Sequence, residues 1–423
     1  VLHAESVSLI DLAARFGTPC WVYSRAALEA SLAEFERELA GLDALVCYAV
    51  KANSNLAVLD VFARRGAGFD IVSGGELRRA LAAGADPRRI VFSGVGKTAA
   101  EMELALATGI LCFNVESAPE LDRLSAVAGR LGKIAPISLR VNPDVDAKTH
   151  PYISTGMNDA KFGMPRDILE LVRPDLRALR HISVVGLHSH IGSALSTAQP
   201  FVDAGRIVLE WAERLRQDGH PISVVDLGGG LGVDYSRRGE PMPTPSDLVS
   251  PLRQELQRAG LRLMLEPGRS LVATAGALIG RVVGVKHNPV KSFLVVDASM
   301  AQLIRPSLYG AHHHIELLEA GGEAGEPGQA GQPGDLRRYD IVGPLCESGD
   351  FLGLGRELPA PREGEGVIVY DAGAYGFSMA SRYNLHLLCA EYVVDGERLI
   401  LSRRAETYED FARLFSEEEV KFP

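Results

Sequence analysis

One lysine, Lys51, follows directly on the apolar run Leu45-Val46-Cys47-Tyr48-Ala49-Val50, within the stretch YAVKAN. Such a run reads as a fully buried strand. A cation at its end is costly to desolvate unless it is paired, neutralised or used covalently, and a desolvated lysine amine is suited to Schiff-base chemistry with a carbonyl. The plainer alternative is a strand-end lysine that reaches solvent. Other reactive residue types stand in the same relation to apolar runs: Arg140 and Asn142, His190 in HSHIGS, Gly228-Gly229-Gly230, and Glu266-Pro267-Gly268-Arg269. The triple glycine lets backbone N–H groups approach an anion, and Ser193 and Arg269 add a hydroxyl and a guanidinium fork, a set that suits a phosphate. A tight turn would use glycine as well. Glu266, at the end of a buried strand, needs a donor, and a protonated heterocyclic nitrogen would serve.

A single histidine such as His190 can be a satisfied loop residue as readily as a functional one. His188 is expected on the opposite side of its strand, away from His190, so no paired metal site is expected. The run His312-His313-His314 is read as polar strand or loop surface.

These residues need elements to carry them. Strand patterns fall at 46–50, 69–72, 90–93, 110–115, 137–141, 184–191, 224–227 and 263–266. Helical patterns lie between them, at 55–65, 75–83, 99–108, 119–131, 167–176, 201–217 and 245–259, and an earlier amphipathic helix runs from Arg25 to Ala40. Eight buried strands separated by helices predict a closed (β/α)8 TIM barrel, with the reactive residues at the carboxyl ends of its strands. A doubly wound sheet is the alternative, but no dinucleotide fingerprint follows the first strand. A lysine, a phosphate cradle, a residue to stack on a ring and a buried carboxylate at one barrel mouth together describe a site for pyridoxal 5'-phosphate.

After Arg269 the periodicity shortens to strand runs at 277–285, 292–297, 340–342, 367–371, 391–394 and 399–401. The predicted organisation is a barrel over 25–269 and a β-domain over 270–423 with a short terminal helix at 406–415. Residues 1–24 are expected to join the β-domain, because the strand at 21–24 has no neighbour nearby in sequence and must pair with something distant. The acidic, Gly/Pro-rich stretch 319–335 reads as a mobile surface loop without chemistry.

Composition narrows the class further. With 46% apolar and 23% charged residues the chain is ordinary globular protein, and a net charge of -10 without a basic stripe argues against nucleic acid and anionic membranes. No leader or apolar run approaching a membrane span is evident, so a cytoplasmic location is expected. Cys20, Cys47, Cys112, Cys346 and Cys389 are odd in number and form no CxxC pair, as expected of free thiols in a reducing compartment.

The motifs YAVKAN, GFDIVSGGEL, KTHPYISTGM followed by KFG, HSHIGS, DLGGGLG, EPGRS, IRPSLYGA, GPLCESGD and DAGAYGFSMASRYN resemble, in order over nearly the whole chain, those of the diaminopimelate decarboxylases. More broadly they are similar to pyridoxal-phosphate decarboxylases of the alanine racemase-like fold, the fold type III architecture. The resemblance implies that Lys51 holds the cofactor, His190 stacks on its ring and Glu266 keeps the ring nitrogen protonated. It implies that Ser193, Gly229, Gly230, Gly268, Arg269 and Tyr375 form the phosphate site, with Asp70, Glu76 and Arg140 in support. It further implies that Cys346, reaching in from the neighbouring subunit of a homodimer, returns a proton to the substrate. Arg269, Arg305, Tyr309 and Tyr375 would hold the distal carboxylate of a small amino-acid substrate, and Glu347 its distal ammonium.

The activity so implied is decarboxylation of meso-2,6-diaminopimelate to L-lysine, the last step of lysine biosynthesis. An arginine pair has nothing to neutralise in a substrate such as ornithine, which lacks a distal carboxylate. The alternatives are a decarboxylase of the same fold acting on D-ornithine, D-lysine or carboxynorspermidine, an amino-acid racemase, or a non-catalytic pyridoxal-phosphate protein. Two departures from the expected pattern, DASMAQ at 297–302 and Ala194 after HIGS, bear on substrate contacts.

Overall fold

The computed structural model describes residues 2–146, 161–318 and 336–415. The KTHPYISTGM motif and the 319–335 stretch lie outside the described residues. The chain divides into two compact units, Ala27–Thr274 and the pair of segments Val1–Ala26 and Ala275–Pro423.

In the first of these units, eight strands form the barrel: β1 Ala44–Ala49, β2 Gly68–Ile71, β3 Ile90–Phe92, β4 Cys112–Val115, β5 Ala135–Arg140, β6 Ile182–His188, β7 Val224–Asp226 and β8 Arg262–Leu265. All neighbouring pairs are parallel, and β8 pairs with β1, which closes the sheet. The connecting helices begin where side chains can cap them. Asn55, Ser73, Thr98 and Ser117 each accept a hydrogen bond from a backbone N–H in the first helical turn, and such caps contribute about 1 kcal/mol each. The single helix expected over 245–259 is instead two, Pro245–Val249 and Arg253–Ala259. Pro251 lies between them and cannot continue a helix, because it lacks an N–H and its ring clashes with the preceding turn.

Strand alternation layers the barrel interior. Leu45, Cys47, Val91, Cys112, Val224 and Met264 form one buried apolar cluster. Two residues further toward the carboxyl ends the same inner face carries Ser93, Asn114, Asp226 and Glu266. An apolar layer therefore lies beneath a polar one.

The other unit is built mainly of strands. Cys20–Ser24 pairs antiparallel with Gly276–His287 and parallel with Ala390–Asp395, which gives it the distant neighbours it needs. Ile315–Leu317 and Phe351–Leu358 are further strands, and Arg305–Tyr309 and Tyr408–Ala412 are short helices. Among the described residues no helix is long and apolar enough to cross a membrane.

Candidate active site

β1 ends at Ala49, and Lys51 lies in the single 3-10 turn Val50–Ala52 that follows. Its Nζ donates to Asp70 Oδ2 at 2.7 Å, and Asp70, on β2, is fully buried. Burial, and then the charge of Glu266, push the Asp70 carboxyl up against the opposing pull of Lys51. Glu76, half-buried in the next helix, accepts from the Val72 N–H at 2.7 Å. Its carboxyl is pushed up to about 7, chiefly by burial.

Glu266, just past β8, is buried and holds the centre of the polar layer. Oε2 lies 3.1 Å from His188 Nε2, while Oε1 accepts from Asn114 Nδ2 at 3.2 Å and Ser93 Oγ at 3.5 Å. Burial alone would push this carboxyl up, but the His188 ring and the Lys51 ammonium outweigh it and hold Glu266 well below the usual range. Asp226 goes the other way. Buried, and repelled by Glu266, it is pushed well above the ordinary carboxylate value. Negative charge in the pit is thus concentrated on Glu266.

His188 does not face away from this site. Residues two apart on a strand share a face, so the expected opposition to His190 fails on the strand's own geometry. The ligating atoms of His188, Asp226 and Glu266 lie within 4.8 Å of one another; Glu266 Oε2 is taken up by His188, and Asp226 Oδ1 accepts from the Gly228 N–H at 2.9 Å. His190, two residues past β6, accepts the Gly229 N–H at Nδ1, at 3.2 Å. Burial first, and then Lys51 and Arg140, lower its basicity well below the ordinary histidine value, so the ring is a neutral flat surface.

The glycine turn after β7 needs its glycines. A Cβ on Gly229 would stand 2.2 Å from the Glu266 carbonyl oxygen, and one on Gly230, whose φ is +124°, 2.5 Å from that of Gly192. Ser193 Oγ accepts from Arg269 Nε at 3.2 Å and Nη2 at 3.0 Å, and Arg269 Nη1 donates to Tyr235 Oη at 2.7 Å. Gly268 begins the short helix Arg269–Val272. Arg140, at the end of β5, donates to Glu116 Oε1 at 2.8 Å and lies 4.9 Å from the Phe162 ring centre. Glu116 Oε2 accepts from Gly163 N–H at 3.0 Å, which ties the KFG segment to Arg140.

The strand-rich unit carries its own cluster. Arg305, first residue of its short helix, is buried, and Nη1 lies 2.7 Å from His313 Nε2. Ser307 Oγ donates to the Gly349 carbonyl at 2.5 Å, and Cys346 N–H to Asn384 Oδ1 at 2.8 Å, so the motifs IRPSLYGA, GPLCESGD and DAGAYGFSMASRYN meet here. Buried Asp350 closes the Cys346 loop by accepting from Leu345 N–H and Met300 N–H. The DASMAQ segment therefore buttresses that loop. Cys346 alone of the five cysteines is exposed; burial raises the thiols of the other four, that of Cys20 to about 12. Glu347 is exposed, with Oε1 accepting from Gly349 N–H at 3.0 Å. Tyr309 and Tyr375 are half-buried, Tyr375 at a φ of +55° that a non-glycine residue seldom adopts.

The sequence profile of the pyridoxal-binding domain of pyridoxal-dependent decarboxylases matches residues 25–273. The diaminopimelate decarboxylase of Pseudomonas aeruginosa is 52% identical over 409 residues, covering 97% of this chain and 95% of that protein. That of Vibrio cholerae is 50% identical over 96% of this chain and 94% of its own. The chain belongs to the diaminopimelate decarboxylase family. Among solved structures, diaminopimelate decarboxylase from Helicobacter pylori complexed with L-lysine superposes with a TM-score of 0.89 at 38% identity, covering 96% of this chain and 98% of that one.

Family membership implies pyridoxal phosphate, and the barrel residues fit it. An ionised buried carboxylate, a neutral imidazole, a lysine amine and a glycine turn that tolerates no side chain occupy one pit. Buried polar atoms such as Asp70 Oδ1 and Asp226 Oδ2 have no protein partner, as expected where a polar ligand belongs. In a diaminopimelate decarboxylase such a turn has a direct consequence. Gly229→Ala should weaken pyridoxal-phosphate affinity at least about tenfold, because the added methyl forces the β7 and β8 ends apart. Titration of the visible cofactor absorption measures it, and unchanged affinity would remove Gly229 from the cradle.

Several contributors were not foreseen. Tyr235 and Asn114 carry no motif of their own, although Asn114 stands two residues after an inward-facing cysteine and was accessible by alternation. His313 is fully buried, contrary to the surface role expected for the His312-His313-His314 run. The strand Ile315–Leu317 begins two residues later and draws it into the interior.

Proposed function

We propose that this protein decarboxylates meso-2,6-diaminopimelate to L-lysine and carbon dioxide, as a homodimer in the cytoplasm. The observation that carries the substrate reading is Arg305, a buried guanidinium in IRPSLYGA. A buried cation at a substrate site favours a ligand with a second carboxylate and disfavours one ending in an ammonium alone. The relatives named above, and the L-lysine complex of the Helicobacter enzyme, support the same choice.

Bound pyridoxal phosphate supplies a sink for the electron pair left when a carboxylate departs as carbon dioxide. Lys51 holds the cofactor through its amine. Glu266, kept ionised by its surroundings, holds the proton on the ring nitrogen, and neutral His190 offers a face for the ring. Ser193, Gly229, Gly230, Gly268, Arg269 and Tyr375 take the phosphate, with Asp70, Glu76 and Arg140 orienting the lysine and ring side. Cys346, contributed by the second copy of the dimer, donates the proton that replaces the lost carboxyl group. Arg269, Arg305, Tyr309 and Tyr375 hold the distal carboxylate and Glu347 the distal ammonium.

Carbon dioxide release from meso-diaminopimelate, set beside D-ornithine, D-lysine and carboxynorspermidine, tests this reading. Turnover of the first is expected to dominate. Release from one of the others, with none from meso-diaminopimelate, would replace the substrate while keeping the cofactor chemistry.

A further inference from the structure

We propose that His313 is the positioning residue for Arg305, holding the guanidinium in place without cancelling its charge, so that the distal carboxylate of the substrate meets a fixed cation. The proposal rests on the substrate reading above and adds to it the residue that makes Arg305 specific.

The construction begins in the backbone. Ile315–Leu317 runs antiparallel to Gly366–Val369, with Ile315 opposite Val369. The Tyr370 N–H donates to the His314 carbonyl at 2.9 Å, which carries the ladder one rung further. The Tyr370 carbonyl oxygen then lies 2.8 Å from His313 Nδ1. A carbonyl can only accept, so Nδ1 carries the hydrogen, and in the neutral ring Nε2 keeps its lone pair. That lone pair faces Arg305 Nη1 at 2.7 Å, and a guanidinium can only donate. Both contacts therefore require the same neutral tautomer.

Burial gives the pair its weight. His313 is 0% and Arg305 5% exposed, so water does not compete for the contact. The two flanking histidines point to other partners. His312 Nδ1 lies 2.6 Å from Arg356 Nη1, and His314 Nε2 lies 2.7 Å from Glu316 Oε1. The middle histidine is the one whose ring meets Arg305. The choice of a neutral acceptor matters. A carboxylate at position 313 would hold Arg305 equally well but neutralise it, and an incoming substrate carboxylate would then find a closed ion pair.

The experiment compares two inhibitors of the holoenzyme: L-lysine, which retains the distal carboxylate, and cadaverine, which has none. His313→Leu should raise the inhibition constant for L-lysine and the KM for meso-diaminopimelate by roughly ten- to a hundredfold, the loss expected when a hydrogen bond to a charged group goes. The kcat should stay within about threefold, since uniform binding alone is affected. Cadaverine inhibition should not change. His313→Gln, whose side-chain oxygen can accept at the Nε2 position, should keep L-lysine affinity within about threefold of the wild type.

Unchanged L-lysine affinity in His313→Leu overturns the proposal, as does an equal loss for L-lysine and cadaverine, which would mark a merely structural role. Should the leucine variant fail to fold, His313→Gln decides alone, and a loss of about tenfold in its L-lysine affinity counts against the proposal. Wild-type protein that turns over no meso-diaminopimelate would instead sink the substrate reading, and this proposal with it.

Discussion

Lys51→Ala should abolish the visible absorption of lysine-bound pyridoxal phosphate and lower carbon dioxide release by at least about three orders of magnitude, as removal of a covalently acting residue does. The fold should survive. Asp70 loses the ammonium 2.7 Å away, but burial and Glu266 already push its carboxyl up, so it takes a proton and does not remain as an isolated buried charge. A carboxyl whose folded value is raised favours the folded state while protonated and loses that contribution as pH rises through the raised value. Without Lys51 the value rises further, so the variant's Tm should fall below that of the wild type more at alkaline than at acid pH. A visible band that persists in the variant would show that another amine carries the cofactor.

Glu266→Gln should retain the band and still lower turnover by about two to three orders of magnitude, the usual cost of removing a preorganised electrostatic partner. Glu266 is the carboxyl that its surroundings keep ionised, while Asp70 and Asp226 beside it are pushed toward the neutral form. A glutamine has no charge with which to hold a proton on the ring nitrogen. It also relieves the repulsion on Asp70 and Asp226, both of which Glu266 raises, so the two should ionise more readily in the variant. Single-turnover rates separate this loss from slow product release. Turnover within about threefold of the wild type would assign the ring nitrogen to another group.

Much of the barrel was legible because its signal is local. An apolar run followed by Lys51, by Gly228-Gly229-Gly230 or by Glu266 marks a strand end whatever happens elsewhere in the chain. The strand at 21–24 announced a missing partner but not its identity, since the pairing with Gly276–His287 spans most of the sequence. Phe351–Leu358 is weakly marked in sequence, because FLGLGREL places glycines inside the strand, where they blur the alternating pattern. Three consecutive histidines look solvated in sequence, and the ladder that takes His313 inside is formed with residues more than fifty positions away. His188 needed no structure at all: strand periodicity, correctly applied, already puts it beside His190's side of the barrel. The wiring of Glu116, Asn114 and Tyr235 remained hidden, because each acts through a residue from a different strand or loop.

The layering inside the barrel has a consequence for how such a protein can change over generations. One course of apolar side chains beneath Ser93, Asn114, Asp226 and Glu266 supplies packing, while the course above carries crowded carboxyl groups that a sturdier barrel would replace with valine or leucine. Selection for robustness alone would erase the upper course first, since swapping buried charge for well-packed hydrocarbon is often neutral or favourable to stability. Its persistence here is the mark of use, and a lineage freed from the need for lysine should lose the pit long before it loses the barrel.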